Sequence, residues 1–178
     1  MAIQLPPRLL VVDDDPGVIA AYRIVLEQKP NSTAVRNLFG LDALEMELFG
    51  GADVDSSQME WRVKFVDQGA DAVAEVKQSI DAGDPFAAIF LDVRMPPGMD
   101  GYEAAEKIRK LDQEVHIVIV TGYSDYTFKD LLEVAGPEDK LSYMAKPVWP
   151  DELRKVAHAL TRTPSHRSLM SPHRVRSA

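Results

Sequence analysis

Four apolar runs in this chain finish on side chains able to do chemistry: RLLVVD leads into Asp13, Asp14 and Asp15, FAAIFLD ends on Asp92, EVHIVIVT on Thr121 and KLSYMAK on Lys146. Carboxylates gathered in one pocket repel one another, by roughly 4 kcal/mol per pair at ~4 Å and an effective dielectric of about 20, so a positive partner is required. A hard divalent cation held through oxygens answers that need. Mg²⁺ typically keeps one or two protein carboxylates and several waters, leaving positions for phosphoryl oxygens. Lys146 adds a fixed positive charge and Thr121 a hydroxyl donor, which suits an incoming phosphoryl group. Asp92 is then the candidate nucleophile, because a carboxylate can attack phosphorus to form an acyl phosphate.

The residues after Asp92 fit that role. In LDVRMPPGMDG the chain can aim the carbonyl of Arg94 at a metal and then turn into a helix. The fixed φ of Pro96 and Pro97 and the permissive backbones of Gly98 and Gly101 would hold such a loop.

These positions matter only if the elements behind them bring them together. Five short apolar runs, at 8 to 13, 61 to 66, 86 to 92, 114 to 121 and 140 to 146, are separated mostly by segments of helical periodicity at 16 to 28, 69 to 82, 100 to 111, 124 to 135 and 150 to 160. The alternation predicts an α/β domain with a doubly wound parallel sheet and helices on both faces. In such a sheet the ligand site lies beyond the carboxyl ends of the strands, near the point where strand order reverses. WRVKFV, where Trp61, Val63 and Phe65 alternate with Arg62 and Lys64, reads as an edge strand. Pro16 and Pro150 mark early helical positions, Ser124 an N-cap, and Gly83 and Gly136 the residues just past two helix ends.

About thirty residues separate the first helix from WRVKFV, far beyond the usual connection of ~2–6. Within them LDALEMELFGG sets Leu41, Leu44 and Leu48 on one helical face, which predicts an inserted helix and loop at about 36 to 59, packed on the domain's own surface. The last residues, 163 to 178, carry Ser, Pro, His and Arg without periodicity and are expected to be a disordered basic tail or linker remnant. Residues 1 to 162 are expected to form one domain.

Composition narrows the function classes. The chain has 178 residues, 46% hydrophobic and 27% charged, and a formal net charge of −8. That charge disfavours direct nucleic acid binding. The absence of cysteine removes disulfides, thiolate metal sites and thiol nucleophiles. The four histidines lie at 116, 158, 166 and 173 without ligand spacing. No apolar run has the length of a membrane span and the start lacks a signal-peptide layout, so a cytoplasmic location is expected.

Taken together, VVDDD with Asp13 and Asp14, LDVRMPPGMDG with Asp92, IVIVTGYSD with Thr121 and YMAKP with Lys146 make the chain resemble the receiver domain of two-component response regulators over roughly residues 8 to 160. The insertion and the MPPG loop look like those of a subgroup. The resemblance implies a flavodoxin-like strand order 2-1-3-4-5, Mg²⁺ held by Asp13, Asp14, Asp92 and the Arg94 carbonyl, and phosphorylation of Asp92 by a histidine kinase or phosphotransfer protein. It further implies phosphoryl contacts from Thr121 and Lys146, a switch at Tyr143, and tuning of phosphoryl lifetime by Arg94 and Tyr123. The implied outcome is a changed binding surface for a downstream protein effector, with phosphorylation-dependent homodimerisation as a further expectation. Enzymatic character would be confined to self-phosphorylation and self-dephosphorylation.

Other readings compete. Asp13 to Asp15 could be the acid-enriched start of a helix, favoured by the dipole, and Asp92 a turn aspartate ahead of prolines. Asp13-x-Asp15 also suits a haloacid dehalogenase-type phosphohydrolase with Asp13 as nucleophile, although that arrangement needs a further acidic pair at a later strand end. A third reading is a non-phosphorylated adaptor.

Overall fold

A computed structural model describes residues 5–27, 61–122 and 127–162. The expected inserted helix at 36 to 59, Tyr123, Ser124 and the tail lie outside the described residues. In chain order the elements are β1 (Arg8–Val12), α1 (Pro16–Glu27), β2 (Arg62–Val66), α2 (Gly69–Asp81), β3 (Ala88–Asp92), α3 (Gly101–Leu111), β4 (His116–Thr121), α4 (Phe128–Ala135), a 3-10 turn (Glu138–Lys140), β5 (Leu141–Ala145) and α5 (Pro150–Arg162). The strands form one parallel sheet in the order β2-β1-β3-β4-β5. WRVKFV is therefore an edge strand, as its alternation predicted.

The period of two along each strand divides the core into two layers. Leu10, Val12, Ile89, Leu91, Ile117 and Ile119 face one way, against Ala72 and Val76 of α2, Ala105 and Ile108 of α3 and Leu131 of α4. Leu9, Val11, Phe90, Val118 and Val120 face the other way, against Tyr22, Val25 and Leu26 of α1 and Leu153 and Ala157 of α5. Both faces of the central strands are covered, which is why their sequences run nearly unbroken in Val, Ile, Leu and Phe.

One helix start differs from expectation, while Gly83 and Gly136 lie just past two helix ends as expected. Helix α4 begins at Phe128 rather than near 124, because Thr127 and Asp130 form a reciprocal capping box that fixes the first turn there. Gly83 follows α2 with φ +68, the left-handed conformation glycine favours. Gly136 closes α4 for another reason. Its φ is −59, but a methyl group there would lie 2.5 Å from the carbonyl oxygen of Leu132.

Candidate functional site

Strand order reverses between β1 and β3, which lie side by side with Val12 opposite Leu91. The next residue on each strand is Asp13 and Asp92. The reversal therefore sets these two carboxylates together at the carboxyl edge of the sheet. Both are buried, with residue exposures of 1% and 4%. On the far side of β3, β4 contributes Thr121, 2% exposed. β5 then delivers Lys146, whose backbone N–H donates to the Thr121 carbonyl at 2.9 Å.

The Lys146 ammonium stands between the two aspartates, 2.7 Å from Asp13 Oδ2 and 3.0 Å from Asp92 Oδ1. Each carboxylate also accepts one main-chain N–H at 3.0 Å: Asp13 Oδ1 from Asp15, and Asp92 Oδ2 from Arg94. Burial pushes the Asp92 carboxyl above its ordinary range; Lys146 pulls it back, Asp13 pushes it further up, and the net shift is upward. Burial works against the Lys146 charge as well, but hydrogen bonds and charge from the two aspartates outweigh it and hold the ammonium above its usual value. The phenol of Tyr22, buried on α1, is raised first by burial and then by Asp13, Asp92 and Glu152. It reports the same negative field from beneath.

Asp14 completes the group. One oxygen from each of Asp13, Asp14 and Asp92 lies within 4.8 Å of the others. Three carboxylates against one ammonium leave 3 − 1 = 2 formal negative charges in excess. The donors are all oxygen, the excess charge is negative and Asp14 is partly open to solvent, which fits a hard divalent cation of the Mg²⁺ type. The Lys146 ammonium engages one oxygen each of Asp13 and Asp92.

Asp15 has a different task. Its Oδ1 accepts from the N–H groups of Gly17 at 2.7 Å and Val18 at 3.4 Å, so it caps α1. The helix-start reading of the acidic triplet thus holds for Asp15 and fails for the two residues before it. Among the described residues, the phosphohydrolase alternative lacks the further acidic strand-end pair it needs. The later acids, Asp151 and Glu152, lie in the first turn of α5 and supply no strand-end pair.

The loop after Asp92 is constrained differently from the sequence expectation. Neither Gly98 nor Gly101 has a positive φ; both serve close approach instead. A methyl on Gly101 would strike the Asp92 carbonyl oxygen, and the Gly101 N–H donates to Val93 O at 2.8 Å. A methyl on Gly98 would meet the Gln68 carboxamide. The Arg94 side chain is exposed, and Tyr143, on the β5 edge of the sheet, is 48% exposed.

Residues 52–158 match the model for the response regulator receiver domain. The chain belongs to that family. The matched span holds Asp92, Thr121 and Lys146 but starts beyond β1, so the structure, rather than the match, brings Asp13 and Asp14 to this receiver's site. Relatives include the hybrid signal transduction histidine kinase L of Dictyostelium discoideum, 31% identical over 66% of this chain and 6% of that protein. Sporulation initiation phosphotransferase F of Bacillus subtilis is 30% identical over 37% of this chain and 50% of that one. The chain thus spans at most half the length of these relatives. The receiver also shares its fold with a CheY-like receiver domain from Methanospirillum hungatei, at 23% identity and TM-score 0.57, covering 88% of this chain and 94% of that one. A Borrelia burgdorferi CheX–CheY complex with BeF3 and Mg²⁺ matches with TM-score 0.55 at 15% identity, covering 88% and 90%. The receiver is a signalling domain, a phospho-accepting switch of the two-component and phosphorelay type.

Arg109 and Gln68 are not among the candidates at the strand ends. Arg109 is 8% exposed and could have been found, since it extends the apolar face Gly101, Ala104, Ala105 and Ile108 of α3. Gln68 carries no sequence signal, because its partner is a loop thirty residues away.

Proposed function

We propose that Asp92 is the residue phosphorylated in this receiver and that a histidine kinase or histidine phosphotransfer protein is the donor. In this reading Asp13, Asp14, Asp92 and the main-chain carbonyl of Arg94 hold Mg²⁺. When bound, Mg²⁺ supplies positive charge against the carboxylates and the phosphoryl oxygens.

What supports the reading above all is the Lys146 ammonium contacting Asp13 and Asp92 together, within a carboxylate group whose charge it does not balance. An Asp92 oxygen attacks phosphorus in line; the new P–O bond forms as the P–N bond to the donor imidazole breaks, and the donor keeps the electron pair and takes up a proton. Lys146 turns from Asp92 to a phosphoryl oxygen, and the Thr121 hydroxyl donates to another. Water later attacks phosphorus, releasing phosphate and restoring the carboxylate. With small phosphodonors the same groups carry out self-phosphorylation.

The phosphoryl group adds charge and acceptor oxygens near Thr121 and Lys146. Their inward shift leaves space for Tyr143 to follow. The surface of α4, β5 and α5 changes, and with it the affinity for a downstream protein or a second copy of the chain. Arg94 and Tyr123, two residues beyond Asp92 and Thr121, tune phosphoryl lifetime. The reading keeps residues 1 to 162 as one domain in the cytoplasm.

Intact-mass measurement after acetyl phosphate and Mg²⁺ tests this. The expected result is one phosphate-sized gain in the wild type and none in Asp92→Ala. Beryllofluoride should give a Mg²⁺-dependent spectral change, and no response to either reagent would favour the adaptor.

A further inference from the structure

Helix α2 starts with an N-cap that does not cap. Gln68 has the extended backbone of that position, yet its side chain accepts no hydrogen bond from the first turn, and glutamine is not among the residues favoured there. The carboxamide turns instead onto the loop that follows Asp92. A Cβ built on Gly98 would be too close to Gln68 Oε1, and Gln68 Cδ would be 3.5 Å from it. Apart from chain neighbours, no other described atom lies within 4 Å of that position. The next residue presses on the same loop, because a Cβ on Gly69 would be 2.6 Å from the Met99 carbonyl and 3.3 Å from that of Asp100.

The loop is tied at both ends, and Met95 anchors it in the core, leaving the stretch at Gly98 less constrained. Gly101 N–H donates to Val93 O at 2.8 Å, and the Asp100 side chain caps α3 by accepting from Glu103 N at 2.8 Å. Pro96 and Pro97 have fixed φ, whereas Gly98 can rotate and is held within its own loop by one long bond, 3.3 Å from its N–H to Met95 O. The β2–α2 turn supplies the missing wall.

From these contacts we infer that Gln68 is a positioning residue for the phosphoryl site: its carboxamide braces Gly98, and so holds the 93–101 loop that orients Asp92 and the Arg94 main chain. The inference rests on Asp92 as the phosphoryl acceptor. Contact by packing, with no hydrogen bond between the Gln68 side chain and Gly98, makes shape rather than polarity the operative property.

Four variants test it. Gln68→Ala should slow phosphorylation by acetyl phosphate about tenfold, the scale of losing an outer partner of a metal site, while the melting temperature stays unchanged. Exchange of the Gly98 and Gly101 amides, measured without metal or phosphodonor, should quicken in this variant. Gln68→Met keeps length and loses polarity, and should restore both rates. Gly98→Ala alone should push the carboxamide aside and slow phosphorylation; combined with Gln68→Ala it should recover, because the new methyl fills the vacated space. A wild type that gains no phosphate on Asp92 would sink the underlying reading. A wild type that is phosphorylated, beside a Gln68→Ala variant with unaltered phosphorylation and amide exchange, would overturn the inference alone, as would simple addition of the two single losses in the double variant.

Discussion

Two of the partly buried cations among the described residues, Arg109 and Lys146, are held in opposite ways. Arg109, at the amino-terminal end of β4 and β5, donates to four main-chain carbonyls: Ala135 at 2.9 Å, Asp112 at 3.1 Å, Val115 at 2.8 Å and Lys140 at 3.1 Å. Burial lowers its pKa, and the nearby Asp112, Glu114 and Asp139 pull the other way; guanidinium stays charged throughout the ordinary pH range. Lys146, at the carboxyl edge, faces carboxylates and keeps a side-chain exposure of 25%. Carbonyl dipoles satisfy Arg109 by direct contact, and the acids near it act through their charge alone. The Arg109 joint is completed by dipoles, whereas the carboxylates that touch Lys146 and their neighbour Asp14 outnumber its charge.

Removing each cation should separate the two roles. Arg109→Ala leaves four carbonyls without their donor and should cost roughly 3 kcal/mol or more of stability, read by urea unfolding, with phosphorylation of the remaining folded protein intact. Lys146→Met should lower phosphorylation by acetyl phosphate by about 100-fold, the scale of losing one charge-stabilising donor, and the stability it loses by leaving Asp13 and Asp92 without their ammonium should be largely regained in Mg²⁺. Equal stability losses in the two variants in Mg²⁺ would erase the distinction.

Charge imbalance also predicts how the folded state answers to ions. Mg²⁺ at about 100 times its dissociation constant should stabilise the wild type by about 2.7 kcal/mol in thermal unfolding, and Asp14→Asn should remove most of that gain without altering the response of the Arg109 joint to substitution. The smallest effect concerns Asp92 itself. Its carboxyl is raised in the folded state, first by burial, so the charged form weakens folding above that raised value. In EDTA near pH 7, Asp92→Asn should therefore melt higher than the wild type. As pH falls through the folded value toward the ordinary carboxylate range, the wild type becomes protonated and the gap should close. A gap that widens on acidification would contradict the electrostatics assigned to this pocket.

Strand and helix positions were legible in the sequence, because runs of Val, Ile and Leu covered on both faces have few other solutions and the intervening periodicity is helical. The edge character of β2 was legible too. The strand-end chemistry of Asp92, Thr121 and Lys146 could be read as a candidate set, since a polar residue closing an apolar run is exposed to whatever lies beyond the sheet. Helix starts were less accessible: α4 begins where Thr127 and Asp130 bond to each other, and those local bonds compete with periodicity.

The sequence by itself determined which residues end each strand, and hence which functional groups reach one edge of the sheet. Tertiary structure alone decided how they are shared out. Asp13, Asp14 and Asp15 are chemically identical and adjacent, yet one pairs with an ammonium 133 residues away, one completes the oxygen cluster and one caps a helix. Neighbouring residues in the chain point in different directions as a strand passes into a helix. The reversal of strand order between β1 and β3, set by how the whole sheet packs, fixes which of those directions meets Asp92.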